Sequence, residues 1–179
     1  MTQIVFVDTE FTNFDKPDLI SIGCAASNNE YWYSENSEFN RNGSTEWVKE
    51  NIYPLLQGGN YEMPRQEIAE TLWEWFDKFE KPVIVMVDYR RDSQLLLELF
   101  DYGQHPKIKS ICNVYQSFAQ LHTAERFSIL EDRMEKLIEE FFQRNSTLSQ
   151  HIALYDAMAL KFAFETVVKE FNLIERDYV

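Results

Sequence analysis

Five consecutive apolar residues, Val83–Val87 (VIVMV), stand between Pro82 and Asp88. A run this short, rich in β-branched residues and bounded by a proline and an acid, reads as a strand. It offers no polar face, so it must be covered on both sides, as central strands of sheets flanked by helices are. The rest of the chain supplies neighbours for it. Residues 3–8 (QIVFVD) and 19–27 (LISIGCAAS) are strand-like, with a turn at Asp15-Lys16-Pro17 between them. Residues 30–34 (EYWYS) form a third strand after Asn28-Asn29, a pair suited to a tight hairpin turn. The opening is therefore expected to be an antiparallel meander, and residues 108–115 are expected as a fifth strand.

Helical spacing begins after Pro64, a residue tolerated in a first helical turn: Ile68, Leu72, Trp75, Phe76 and Phe79 fall on one face. A second helix opens at Asp92 and runs through Leu95, Leu96 and Leu99. Helix is expected from about 117 to 144 with a break near Thr123, and again over roughly 153–171. Between 38 and 62 the pattern is least regular: Trp47, Val48, Ile52 and Leu55 suggest a short helix, and Gly58-Gly59-Asn60 a loop that could rim a site. Strands in a meander followed by alternating strands and helices give an α/β protein, a mixed central sheet flanked by helices. At 179 residues, with 45% of positions hydrophobic, the chain is expected to form a single domain over 1–179.

Charge limits the partners. Thirty acids against seventeen lysines and arginines leave a net charge of −13. That argues against a broad basic face holding nucleic acid through its phosphates, unless the substrate is short or bound cations reverse the local potential. Cys24 and Cys112, each in an apolar stretch, read as free thiols of a reducing compartment. With no basic leader and no membrane-length apolar run, the expectation is a soluble, cytoplasmic protein without a membrane partner.

Three acidic motifs could carry chemistry. Asp8-Thr9-Glu10 ends the first strand, where period-two alternation puts both carboxylates on one face. The spacing alone is weak, since thirty acids in this length give roughly five such pairs by chance. An apolar strand that ends on two acids nevertheless calls for a partner between them. His151 precedes Asp156 by five residues, a coincidence of about one in six for three histidines and ten aspartates. Asp156 lies on the last helix among Ala153, Ala157, Leu160 and Phe164, where an unpaired acid is costly. Ser146, Thr147 and Ser149 are candidate caps for that helix. The competing reading of His151 is an exposed histidine at a helix start. His105 and His122, without an acid at this spacing, read as surface residues. After the VIVMV strand Asp88 and Asp92 compete; Asp92 is favoured at the helix start, and Asp88 is the fallback. An ordinary N-cap is the plain alternative for Asp92.

Oxygen ligands without cysteine suit Mg²⁺ or Mn²⁺, and a pair of such ions can promote hydrolysis of a phosphodiester. A neutral histidine beside the attacking water is suited to accept its proton.

These residues, in this order, resemble the DEDD exonucleases of the histidine-containing subgroup, and within it the small ribonuclease-T-like 3′ exoribonucleases. Asp8-Thr9-Glu10-Phe11 looks like the first motif, Asp92 with Leu95-Leu96 like the second, and His151 to Ala157 like the last. The resemblance covers nearly the whole chain and implies a ribonuclease-H-like fold. It also implies 3′→5′ hydrolysis of single-stranded RNA, 3′ overhangs or short oligonucleotides, DNA remaining open, to nucleoside 5′-monophosphates. By it, Asp8, Glu10, Asp92 and Asp156 would hold two Mg²⁺ or Mn²⁺ ions per site and His151 would be the general base. Thr9, Phe11 and Arg91 would contact the substrate, Phe11 by stacking on terminal bases, with core packing as the alternative for Phe11 and a plain surface charge as that for Arg91, and a homodimer would be expected. The chain departs from the pattern at Asp88 and the Arg90-Arg91 pair, which leave the second motif's alignment open by a few residues. An inactive binding module, or a metal-dependent endonuclease on the same fold, are the rival readings.

Overall fold

The computed structural model describes residues 2–174. Six strands form one mixed sheet in the order β4-β3-β2-β1-β5-β6. They are β1 (Gln3–Phe11), β2 (Leu19–Ala26), β3 (Tyr31–Asn36), β4 (Glu62–Met63), β5 (Val83–Val87) and β6 (Ile108–Asn113). The first three are antiparallel neighbours, as the meander requires, while β5 and β6 add to β1 in parallel. Strand β1 runs three residues beyond the expected end at Asp8, because its edge from Val5 to Phe11 is paired with β2 throughout. The two-residue β4 was not legible; it exists only by pairing with β3 at Glu35 and Asn36.

The helices are α1 (Glu46–Asn51), α2 (Arg65–Asp77), α3 (Arg90–Leu99), α4 (Val114–Leu121), α5 (Ala124–Arg144) and α6 (Ala153–Glu170). Alternation along each strand divides the core in two. Val5, Val7, Val83, Val85 and Val87 pack under α2 and α3, whereas Phe6, Ile84 and Met86 pack under α4, α5 and α6. The VIVMV strand is thus covered on both faces. The break expected near Thr123 separates α4 from α5, where the Thr123 hydroxyl caps α5 by accepting from the Arg126 N–H. The segment expected as a fifth strand to residue 115 stops two residues short at Asn113, whose side chain accepts from the Gln116 N–H and starts α4 at Val114, about three residues earlier than expected.

Two expectations are corrected. None of Ser146, Thr147 and Ser149 caps α6; Ile152 occupies that position with no side-chain bond. His105 is not a surface residue but fully buried, its ring against Trp73 and Phe76 at 4.3 and 5.6 Å between centroids. Its Nδ1 accepts from the Lys107 N–H, and Nε2 lies 3.3 Å from the Asp77 carboxylate. A polar sequence neighbourhood hid an aromatic spatial one.

Candidate functional site

The carboxyl ends of β1 and β5 and the amino ends of α3 and α6 meet at one edge of the molecule. Phe6 and Met86 are register partners on the parallel pair β1 and β5, both facing α6. Two residues further along β1, on the same face, comes Asp8, and Asp88 is the first residue past the end of β5. Glu10 follows on β1. Thr9, between the two acids, points to the opposite face, where its hydroxyl donates to Asp92 Oδ1 at 2.7 Å. Asp92 is not the cap of α3, since Tyr89 holds that position; it is the third helical residue and is 1% exposed.

Helix α6 reaches this edge because Gly23, the register partner of Asp8 on β2, has no side chain. Its Cα lies beneath the helix start, so that a β-carbon there would stand 2.2 Å from the Leu154 nitrogen. Asp156, in the first turn of α6, is thereby brought to Glu10. His151 lies just before the helix in the left-handed region at φ 66°. That turn directs its backbone N–H to Asp156 Oδ2 at 2.7 Å. A non-glycine residue in that conformation costs about 1–3 kcal/mol and is held there by its surroundings.

Two triads result. Glu10, His151 and Asp156 place one ligand atom each within 4.8 Å of one another, and so do Asp8, Asp88 and Asp92. All four acids selected from the sequence converge, with His151 among them, and the fallback Asp88 joins Asp92 instead of replacing it. Among the described residues no salt bridge engages any of these carboxylates. Burial, then the neighbouring charges of Asp92, Asp156, Glu10 and Asp88, raise Asp8 well above the usual carboxylate range. Glu10 is pushed up to about 8 by burial, then by Asp156 and Asp92. Asp92 and Asp156 rise to about 7, each chiefly through burial, against the Thr9 hydroxyl bond in one case and the His151 N–H in the other. Burial holds the His151 imidazole below its ordinary value, so it is neutral near pH 7.

Such a cluster is unfavourable without cations. One atom makes the case specific: Asp92 Oδ2 is buried with no hydrogen-bond partner. Oxygen donors with one imidazole fit Mg²⁺ or Mn²⁺.

Beside Glu10 opens a pocket of about 300 Å³, lined mostly by the apolar side chains of Phe11, Phe14, Trp47 and Val48, with Thr45. Phe11 is half-buried there, its ring edge-on to the exposed Phe14 at 5.4 Å. Trp47 on α1 stands edge-on to His151 at 5.1 Å. Arg91 donates to the Phe14 carbonyl at 3.0 Å and to Gln94 at 2.7 Å, tying the loop after β1 to α3. Gly23, Phe14 and Trp47 were not singled out from the sequence. Of these only Gly23 carried a signal, since a glycine inside an apolar strand marks a close approach.

No protein-family model matches this sequence, and no curated protein matches it. Solved structures do match in fold, 17 chains in all. One, described as "3′-end specific recognition of histone mRNA stem-loop by 3′-exonuclease", superposes with a TM-score of 0.63 over 95% of this chain and 82% of that one, at 11% identity. At that identity the likeness is one of fold. The chain has a ribonuclease-H-like fold, a mixed six-stranded sheet flanked by helices, and a 3′-exonuclease is among its structural neighbours.

Proposed function

We propose that this chain is a metal-dependent 3′→5′ exonuclease of the histidine-containing DEDD type, acting on single-stranded RNA or short oligonucleotides. The observation that carries the reading is the unpartnered, buried Asp92 Oδ2 within a set of converging carboxylates that, among the described residues, no salt bridge neutralises. The fold shared with a solved 3′-exonuclease supports it.

Asp8, Glu10, Asp92 and Asp156 would hold two divalent cations, Mg²⁺ or Mn²⁺. Such ions would neutralise the cluster, favour ionisation of the attacking water and stabilise the departing oxygen. The protein's own groups do the rest. His151, neutral at pH 7, accepts the proton of the water that attacks phosphorus. The bond from phosphorus to the 3′ oxygen breaks, the terminal nucleotide leaves as a 5′-monophosphate, and the shortened strand takes a proton to keep a 3′-hydroxyl. Thr9 acts as a positioning residue through Asp92. The pocket formed by Phe11, Phe14 and Trp47 receives a nucleobase, stacking being worth about 1–3 kcal/mol per base. Arg91 supports the Phe14 side of that pocket and leaves part of its guanidinium for a phosphate. The net charge of −13 disfavours long contacts with a polyanion, so the substrate is a short or frayed strand. In this reading the protein works in the cytoplasm, with a homodimer as its assembly.

The test is release of nucleoside 5′-monophosphates from matched single-stranded RNA and DNA in Mg²⁺, Mn²⁺ or EDTA, for wild type and Asp8→Ala. Metal-dependent release lost in the variant is the expected result. No release from either polymer would leave a binding module on the same fold.

A further inference from the structure

Asp88 is a carboxylate more than the proposed mechanism uses. We infer that it is a direct metal ligand beside Asp8 and Asp92, so that this half of the site holds its divalent cation in the absence of nucleic acid.

The placement follows from register. Phe6 pairs with Met86; Asp8 lies two residues further along β1, and Asp88 is the first residue past the end of the adjacent parallel strand β5. Asp92 closes the triad from α3, all three oxygens lying within 4.8 Å of one another. Of these groups Asp92 is 1% exposed, with Oδ1 taken by Thr9 and Oδ2 bonded to nothing. Three carboxylates around one point are a hard, all-oxygen ligand set. Mg²⁺ sites with one or two carboxylates commonly rely on substrate phosphate to complete them; a third carboxylate supplies a ligand and a charge that the phosphate would otherwise bring. Five carboxylates against two dications leave one negative charge, so neither ion depends on the substrate for neutralisation.

The carboxylate of Asp88 has a simpler use, in the turn into α3: burial raises it above its ordinary value, and the backbone N–H groups of Asp88 and Tyr89 oppose that rise in part. The two uses are separable. Asn113 Nδ2 holds the Asp88 backbone carbonyl at 2.7 Å whatever the side chain is, and an asparagine at 88 keeps an oxygen for the turn while losing the charge.

The inference rests on the reading of this cluster as a metal centre. Its test is calorimetric titration of the chelator-stripped full chain with MnCl₂, without nucleic acid, for wild type, Asp88→Asn and Glu10→Gln. Wild type should bind two Mn²⁺ per chain. Asp88→Asn should weaken one of them by about tenfold or more and leave the other, and Glu10→Gln should weaken the other instead. Melting in EDTA reports folding: Asp88→Asn should melt no lower than wild type, because it removes a repelling charge. A single Mn²⁺ in wild type, or an Asp88→Asn titration like that of wild type, would overturn the inference. The outcomes separate it from the nuclease reading. Two resident ions without cleavage of RNA or DNA would sink that reading and keep this one, and a nuclease with one resident ion would do the reverse.

Discussion

Gly23 on β2 and Leu154 at the start of α6 touch backbone to backbone, with no room between them for even a methyl group. Gly23 is also the register partner of Asp8. One absent side chain thus sets the distance between the strand that carries Asp8 and Glu10 and the helix that carries Asp156.

Gly23→Ala should therefore damage both fold and site. A β-carbon at 2.2 Å from a backbone nitrogen cannot be absorbed by a side-chain rotation, and overpacking of this kind costs about 1–3 kcal/mol or more. Displacement of Asp156 by about an ångström should lower kcat by about 10²-fold. Urea unfolding and steady-state kinetics on the same preparation check both. A variant with wild-type stability and rate would show that α6 is not held by this contact.

The metal-free protein should lose stability as pH rises. Asp8, Glu10, Asp92 and Asp156 all titrate higher in the folded chain than the ordinary 3.8 or 4.5, with Glu10 near 8 and Asp92 and Asp156 near 7. The folded state then binds protons that the unfolded state has released, so their stabilising effect is complete below about pH 4 and is lost as pH climbs through 7 to 8. In EDTA the melting temperature should fall between pH 5 and about 8.5. Mn²⁺ should abolish most of the fall, and Asp8→Asn should flatten it without metal. A metal-free melting temperature that rises across this window would contradict the electrostatics described.

How much of this was legible follows the range of the signals. Strand and helix periods are local, so the meander, VIVMV and the break at Thr123 could be read from the sequence, as could the pairing of Asp8 with Glu10 on one strand face. The choice between Asp88 and Asp92 was posed as exclusive because it was made along one segment. The parallel register with β1, a non-local fact, puts Asp88 beside Asp8 while α3 brings Asp92 to the same point. Trp47 was read only as part of a short helix, since its contact with His151 spans a hundred residues of chain. His105 was misplaced for the same reason.

Thr9→Val tests the support of Asp92. The substitution keeps shape but removes the 2.7 Å hydrogen bond, leaving both oxygens of a buried carboxylate without a donor side chain. The expected cost is about 1–3 kcal/mol in the metal-free protein, with weakened Mn²⁺ binding and a loss of kcat of about tenfold. Thr9→Ser, which retains the hydroxyl, should restore most of each. Equal behaviour of the valine and serine variants would remove Thr9 from the positioning role.

The most direct test of the central claim is digestion in Mg²⁺ of a 5′-labelled linear single-stranded RNA beside a circular RNA of the same sequence. The account predicts that the linear strand shortens one nucleotide at a time from its 3′ end while the circle stays intact, and that Asp8→Ala cleaves neither RNA. Opening of the circle, or internal fragments from the linear strand, would contradict it and point to an endonuclease built on the same carboxylates.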